Sequence, residues 1–125
     1  MTTDQIAAAI ADHKLWLEGK GGKRANMQGA NMQGANMRGA DMRGAKIGGA
    51  ETVISLLRRA TRSDGYEFFL WHCKEGFYVQ AGCRFFSYIE SRRHWDEKRV
   101  GENLGDETQD ILDMFNKAIF RTTQE

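Results

Sequence analysis

The sequence predicts a mainly β fold with α elements: a short coil of five-residue units, capped by an N-terminal helix and followed by a β-hairpin and C-terminal helices. Three observations predict it. The stretch ANMQGANMQGANMRGADMRGA, residues 25–45, repeats one five-residue unit four times over. The stretch DGYEFFLWHCKEGFYVQAGCRFF, residues 64–86, is rich in strand-forming aromatics and has a glycine near its middle. The flanks TTDQIAAAIADHKLWLEG and DETQDILDMFNKAIF place apolar residues at helical spacing.

The chain of 125 residues is about one domain long, and we read residues 1–125 as a single domain. With 41% hydrophobic and 28% charged residues the composition is that of a globular protein. No window approaches the roughly 20 apolar residues that span a membrane. The N-terminus lacks a basic start and carries Asp4 and His13 around its apolar run, which argues against a secretory signal. Cys73 and Cys83 stand in no metal-like spacing, and a cytoplasmic chain with free thiols is the simplest expectation. Net charge is +1 but uneven: residues 20–62 carry nine Lys or Arg against two acids, and residues 96–125 carry eight acids against four bases. The basic middle and acidic tail are either two separate poles or neutralise one another by packing.

The first element is a helix over about 3–17. Thr2 and Gln5 match a capping box, Gly19 is a fitting stop, and Ile6, Ile10 and Leu17 share a face with Ala9 and His13. His13 reads as a satisfied core or boundary histidine rather than a ligand. GKGGK then leads flexibly into the repeats.

A period of five fits neither a helix nor a flat strand. Aligned on the small residue, the units are ANMQG, ANMQG, ANMRG, ADMRG and AKIGG, followed by the looser AETVI, SLLRR and ATRSD. Ala or Ser recurs from position 25 to position 60, and the large apolar place holds Met27, Met32, Met37, Met42, Ile47 and Leu57. This pattern resembles the pentapeptide-repeat family, closely over 25–49 and loosely over 50–60. The resemblance implies a right-handed quadrilateral β-helix, four units to a square coil, with one to two coils over 25–60. In such a coil the small and the large apolar residues both point inward. Asn or Asp suits the tight turns by bonding nearby backbone amides, and Gly eases the corner. So few coils hold too little core to fold unaided, so the flanking segments are expected to plug them. The four consecutive methionines read as core filling, because successive ones lie on different sides of the coil.

A hairpin over 65–85 follows. A turn at Glu75-Gly76 sets Lys74 opposite Phe77 and His72 opposite Val79. One face then carries Phe68, Leu70, His72, Val79, Ala81 and Cys83, the other Phe69, Trp71, Cys73, Tyr78 and Gln80. Both faces are largely apolar, so the second needs a cover: the terminal helices or another subunit. The two cysteines fall on opposite faces, which argues against a disulfide. Ser87 and Glu90 form a second capping box, opening a helix over 87–95. VGENLG is a loop, and Asp106 with Gln109 opens a third helix over 107–120. Its apolar residues Ile111, Leu112, Met114, Phe115, Ala118 and Ile119 are expected against the sheet or across a dimer interface. The segment AGCRFF…IESRRHW after such repeats is similar to a module in small phage-encoded proteins.

Residues with chemical potential are few. Cys83 beside Arg84, with His94 further on, is the nearest thing to a nucleophile and base, but Cys83 reads as a small buried hydrophobe. His72, His94 and Cys83 lack paired-ligand spacing for zinc. No catalytic residue, cofactor or metal is expected. The basic residues are the candidate binding set: Arg38 and Arg58 one coil apart on one outer face, Arg59 and Arg62 at the exit, and Arg84, Arg92 and Arg93 in the neighbouring segment. The sequence therefore favours a non-enzymatic protein-interaction module, such as a phage-encoded inhibitor or modulator of a host protein. The alternative is a binder that sequesters an anionic small molecule or nucleotide signal at an arginine-rich subunit interface. A homo-oligomer is expected, a dimer first. Near-neutral total charge and the acidic tail argue against nucleic acid. Some relatives implied by the resemblance mimic DNA, but those are long acidic rods, whereas these repeats are short and basic.

Overall fold

A computed structural model describes residues 1–49, 51–96 and 103–124. The first helix, α1, spans Thr3–Leu17 as the sequence predicts. Its capping box is complete: Gln5 N–H donates to Thr2 Oγ1 at 3.1 Å and Thr2 N–H donates to Gln5 Oε1 at 2.8 Å. Ile6 and His13 are its buried residues, with Ala9 and Ile10 partly buried beside them.

The repeats make one squared turn of chain. Each side ends in a β-turn in which an alanine N–H donates back to a methionine carbonyl: Ala30 to Met27, Ala35 to Met32, Ala40 to Met37 and Ala45 to Met42, at 2.9–3.1 Å. The third residue of each turn is a glycine with φ between 71° and 78°, as a type II turn requires. The residue before each methionine holds the turn from outside. Asn26, Asn31, Asn36 and Asp41 each accept, through Oδ1, the N–H two residues on. Alanines and methionines point inward: Met27, Met32, Ala30, Ala35 and Ala45 are at most 1% exposed. Each buried methionine contributes roughly 1.5–3 kcal/mol. The circuit returns upon itself at a parallel bridge between Asn26 and Lys46, where Met27 N–H donates to Lys46 O at 2.8 Å and Lys46 N–H to Ala25 O at 2.9 Å.

Of the one to two coils expected, a second does not follow, and there is no closed β-helix among the described residues. Lys46–Ile47 forms β1, and the chain folds back into an 11-residue strand, β2, over Glu51–Thr61. On one edge β2 pairs antiparallel with β1, and Val53 N–H donates to Ala45 O at 2.9 Å; its other edge pairs with β3. Ser55, Leu57 and Ala60 thus serve a sheet rather than a coil, because the aromatic strand β3 offers a longer ladder than another short square side. Arg38 and Arg58 accordingly do not stack one coil apart. Ala50, the sixth small position, lies outside the described residues.

The sheet is a meander of order β1-β2-β3-β4-β5, with β3 over Glu67–Cys73, β4 over Gly76–Ala81 and β5 over Arg84–Ser87. Two register shifts in β2, between Val53 and Ser55 and between Leu56 and Arg58, curl it. The β3–β4 turn falls at Lys74-Glu75, one residue earlier than the sequence reading, so His72 faces Phe77 and Leu70 faces Val79. The start of β2 fixes this turn: Lys74 N–H donates to Thr52 O, and Thr52 N–H to Glu75 Oε1, both at 2.9 Å. The change keeps each residue's face. Phe69, Trp71 and Cys73 pack on the coil and α1, while Phe68, Leu70, Val79 and Ala81 pack on the other side. Cys83 is a correction: instead of a buried strand position it is exposed, in a second tight turn between Ala81 and Arg84.

The second sheet face is covered by the terminal helices of the chain itself. Helix α2 spans Tyr88–Asp96, with Ser87 and Glu90 forming the reciprocal capping box at 3.2 Å. Helix α3 spans Asn103–Thr123, starting earlier than predicted, so Asp106 lies within its first turn and is not its cap. Of the VGENLG loop, residues 100–102 lie outside the described residues and 103–105 are helical. Trp95, Leu112, Phe115 and Ala118 complete the core on this face. The layers run α1, coil, sheet, then α2 with α3.

Candidate functional site

The surface least accounted for by the fold lies where the β3–β4 turn, the start of α2 and the C-terminal half of α3 meet. Ser87 caps α2 and so fixes Tyr88 and Ile89 in its first turn. Tyr88 turns inward, its hydroxyl donating to Leu112 O at 3.0 Å. Ile89 turns outward and is 67% exposed. Arg92 Nη1 donates to Asp113 Oδ1 at 2.8 Å, which locks α2 to α3. Between these elements lies a groove of about 350 Å³, whose apolar walls include Phe77, Tyr78, Tyr88, Ile89 and Ile119. Ile119 also borders a neighbouring hollow with Phe120, Lys117 and Arg121. Phe120 is 63% exposed and Met114 38%. Burial raises the Tyr78 hydroxyl above its ordinary pKa; Glu75 joins the lining of the groove, and Lys117 and Arg121 line the neighbouring hollow.

The residues named from the sequence are distributed around the molecule. Arg38 is exposed on a corner of the coil. Arg58 is exposed on β2, with its guanidinium donating to Leu57 O at 2.7 Å. Arg59 is committed to Glu67 and lies 5.0 Å over the Phe69 ring, on the coil side of the sheet. Arg62 forms a double hydrogen bond with Asp64, at 2.8 and 2.7 Å, and donates to Thr108 Oγ1 at 3.1 Å. That pairing holds the Asp64 carboxyl down at about 2 and raises Arg62. Arg84 bonds the His94 ring, Arg92 bonds Asp113, and Arg93 is exposed one turn from Glu90. The structure brings Arg62 and Arg92 to the α3 side and leaves Arg38 and Arg59 on the coil side.

Among the residues considered for chemistry, Cys73 is buried and its thiol is pushed up to about 12 by desolvation. His72 stacks on Phe77 at 4.6 Å, and His94 packs against Phe86 at 4.8 Å. Among the described residues no group of three His, Cys, Asp or Glu side chains is placed to hold a metal ion, and no helix is long and apolar enough to cross a membrane. His13 is a core group: its Nδ1 accepts from Ala25 N–H at 3.0 Å, so Nε2 carries the proton and donates to Arg43 O at 2.8 Å.

Sequence reasoning missed Ile89 and Phe120. The signal for Phe120 was present: it stands five residues past Phe115, about 140° round a helix that turns about 100° per residue, away from the core stripe.

The family described as pentapeptide repeats (8 copies) matches residues 23–51, which are the coil, β1 and the first residue of β2. No curated protein and no solved structure matches the sequence. The family match ends before residues 81–95, and the comparisons give no support to the phage-module resemblance expected there.

Proposed function

We propose that this protein is a non-enzymatic protein-interaction module that presents the groove between the β3–β4 turn, α2 and α3. The observation that carries this reading is the exposure of two large apolar side chains, Ile89 in the wall of that groove and Phe120 in the adjoining hollow that shares Ile119 with it. Their support is rigid: a capped helix, a hydrogen-bonded turn and the Arg92–Asp113 pair hold the walls in place. Apolar side chains grouped on a surface mark contact sites when they are contiguous and rimmed by polar groups. The narrower role of a phage-encoded inhibitor or modulator of a host protein rests on the sequence likeness of the C-terminal part alone, and the cytoplasm is the compartment that suits its two free cysteines.

The test is affinity capture with the full chain and with Ile89→Asp, a change at an exposed position. A protein retained by the parent and released by the variant supports the reading. Equal retention of every captured protein by a folded variant removes the groove from consideration.

The second reading is an anion or nucleotide held by arginines. It draws on Arg38, Arg58 and Arg93, which are exposed; Arg59, Arg62 and Arg92 are already neutralised by Glu67, Asp64 and Asp113. A nucleotide panel in a thermal-shift assay tests it, since a ligand selective for the folded state raises the midpoint with its saturation.

A further inference from the structure

We infer that the partner for this surface is a second copy of the chain, joined through an antiparallel, two-fold contact between two α3 helices. The inference rests on the interaction-module reading and names the occupant. The exposed stripe of α3 is electrically divided. Asp106, Asp110 and Asp113 occupy its N-terminal half, and Lys117 and Arg121 its C-terminal half; all five residues are exposed. Spacings of three and four residues set these charges on one line of the helix surface. Met114 and Phe120 flank that line and supply apolar area.

A two-fold contact places each residue of one copy against its counterpart in reverse order. With the dyad near the middle of the stripe, Asp113 and Asp110 of each copy fall opposite Lys117 and Arg121 of the other. Every such pairing is between unlike charges. Parallel packing of the same stripes sets acid on acid and base on base, so the pattern selects one orientation as well as one partner. Asp113 can serve both contacts: Arg92 takes Oδ1, and the Asp113 side chain is still 61% exposed. Phe120, Lys117 and Arg121 at the C-terminal end of this stripe line the hollow that shares Ile119 with the groove.

The experiment is sedimentation velocity of the full chain with a charge-exchange set. The parent is expected to sediment as a dimer whose dissociation constant rises with salt, because exposed charge pairs are screened. Arg121→Glu alone and Asp110→Lys alone each weaken self-association about tenfold or more, by setting like charges opposite one another. Mixing the two variants restores dimers, since the new Glu meets the new Lys across the dyad. Circular dichroism melts confirm that both variants fold, and both positions are exposed. A monomeric parent at the highest accessible concentration overturns the inference, as does a mixture of folded variants that stays monomeric. The two readings separate cleanly: a monomeric parent whose capture of another protein is abolished by Ile89→Asp keeps the interaction module and removes the second copy. A monomeric parent with capture indifferent to Ile89→Asp removes both.

Discussion

Gln33 and Glu67 hold one another as two strands would. Gln33 Nε2 donates to Glu67 O at 2.8 Å, and Glu67 N–H donates back to Gln33 Oε1 at 2.7 Å, so a side-chain amide stands in for a backbone neighbour at the start of β3. The Glu67 carboxylate then reaches the next corner of the coil, accepting from Gly34 N–H at 2.7 Å, and takes Arg59 on its other oxygen. Gln80 makes a second polar tie, from Trp71 Nε1 at 2.9 Å to Ala30 O at 3.2 Å. Coil and sheet are therefore joined by hydrogen bonds at two places as well as by apolar packing.

Gln33→Ala removes both reciprocal bonds and is expected to cost about 1–3 kcal/mol, at the usual net value per bond. Glu67→Ala is expected to cost more, because Gly34 N–H and the Arg59 guanidinium both lose a charged acceptor. Urea unfolding curves for the two variants give the order directly; a Glu67→Ala midpoint at or above that of Gln33→Ala contradicts it.

His13 connects the start of the coil to its last corner from a fully buried position. His13→Phe preserves the ring and deletes both hydrogen bonds, leaving Ala25 N–H and Arg43 O without their partner. The expected loss is about 1–3 kcal/mol per stranded group. Amide exchange at Ala25 should accelerate in this variant by more than global unfolding accounts for.

The interior of the coil has no room for a larger side chain at the alanine positions. Ala35 is 1% exposed, and Ala35→Leu is expected to lose about 1–3 kcal/mol or more through overpacking. Gly39→Ala tests the corner instead. Nothing lies within 4 Å of the added methyl, so only the strain of a φ of 71° remains, about 1–2 kcal/mol. Gly48→Ala drives its methyl into the Phe85 ring in addition to a φ of 63°, and should be the worse of the two glycine changes. Parent-like unfolding of Ala35→Leu contradicts the inward packing described above.

The two thiols should differ in both reactivity and linkage to pH. Exposed Cys83 is expected to react with a thiol reagent in the native protein, and buried Cys73 only after unfolding. Burial raises the Cys73 thiol from an ordinary 9.0 to about 12, so the folded chain retains a proton that the unfolded chain has lost. Its contribution to stability is thus complete below about pH 9 and disappears as pH climbs toward about 12. Cys73→Ala should flatten the fall in urea midpoint across that interval, while Cys83→Ala leaves it unchanged.

The grammar of the repeat was legible because each of its roles is local. The bond from Ala30 to Met27 spans three residues and that from Gln28 to Asn26 spans two, so five letters contain the whole mechanism of a corner. The end of the coil was not legible for the opposite reason. Ser55 and Ala60 keep the repeat's spacing, but what decides their conformation is the ladder to His72 and Phe68, which is remote in sequence. Both hairpin faces could be read because alternation survives a displaced turn, whereas the position of the turn depends on Thr52, a residue of another strand. Among the candidate binding residues, the arginines were conspicuous as letters, but Asp64, Glu67 and Asp113 claim three of them. Phe120 was hidden inside an apolar string whose other members face inward.

The bridge between Asn26 and Lys46 joins positions 20 residues apart, one lap of the chain. The molecule can therefore lengthen only in quanta. Splicing in another 20 residues of the same units adds a storey of about 4.8 Å, the spacing between paired strands, and delivers the chain to β2 from the same compass point. Splicing in one unit of five advances the exit by about a quarter lap, so β2 departs beside the wrong wall and loses β3. Whole-lap insertions should stay folded where single-unit insertions collapse, and gradual growth by one unit at a time is closed to this architecture.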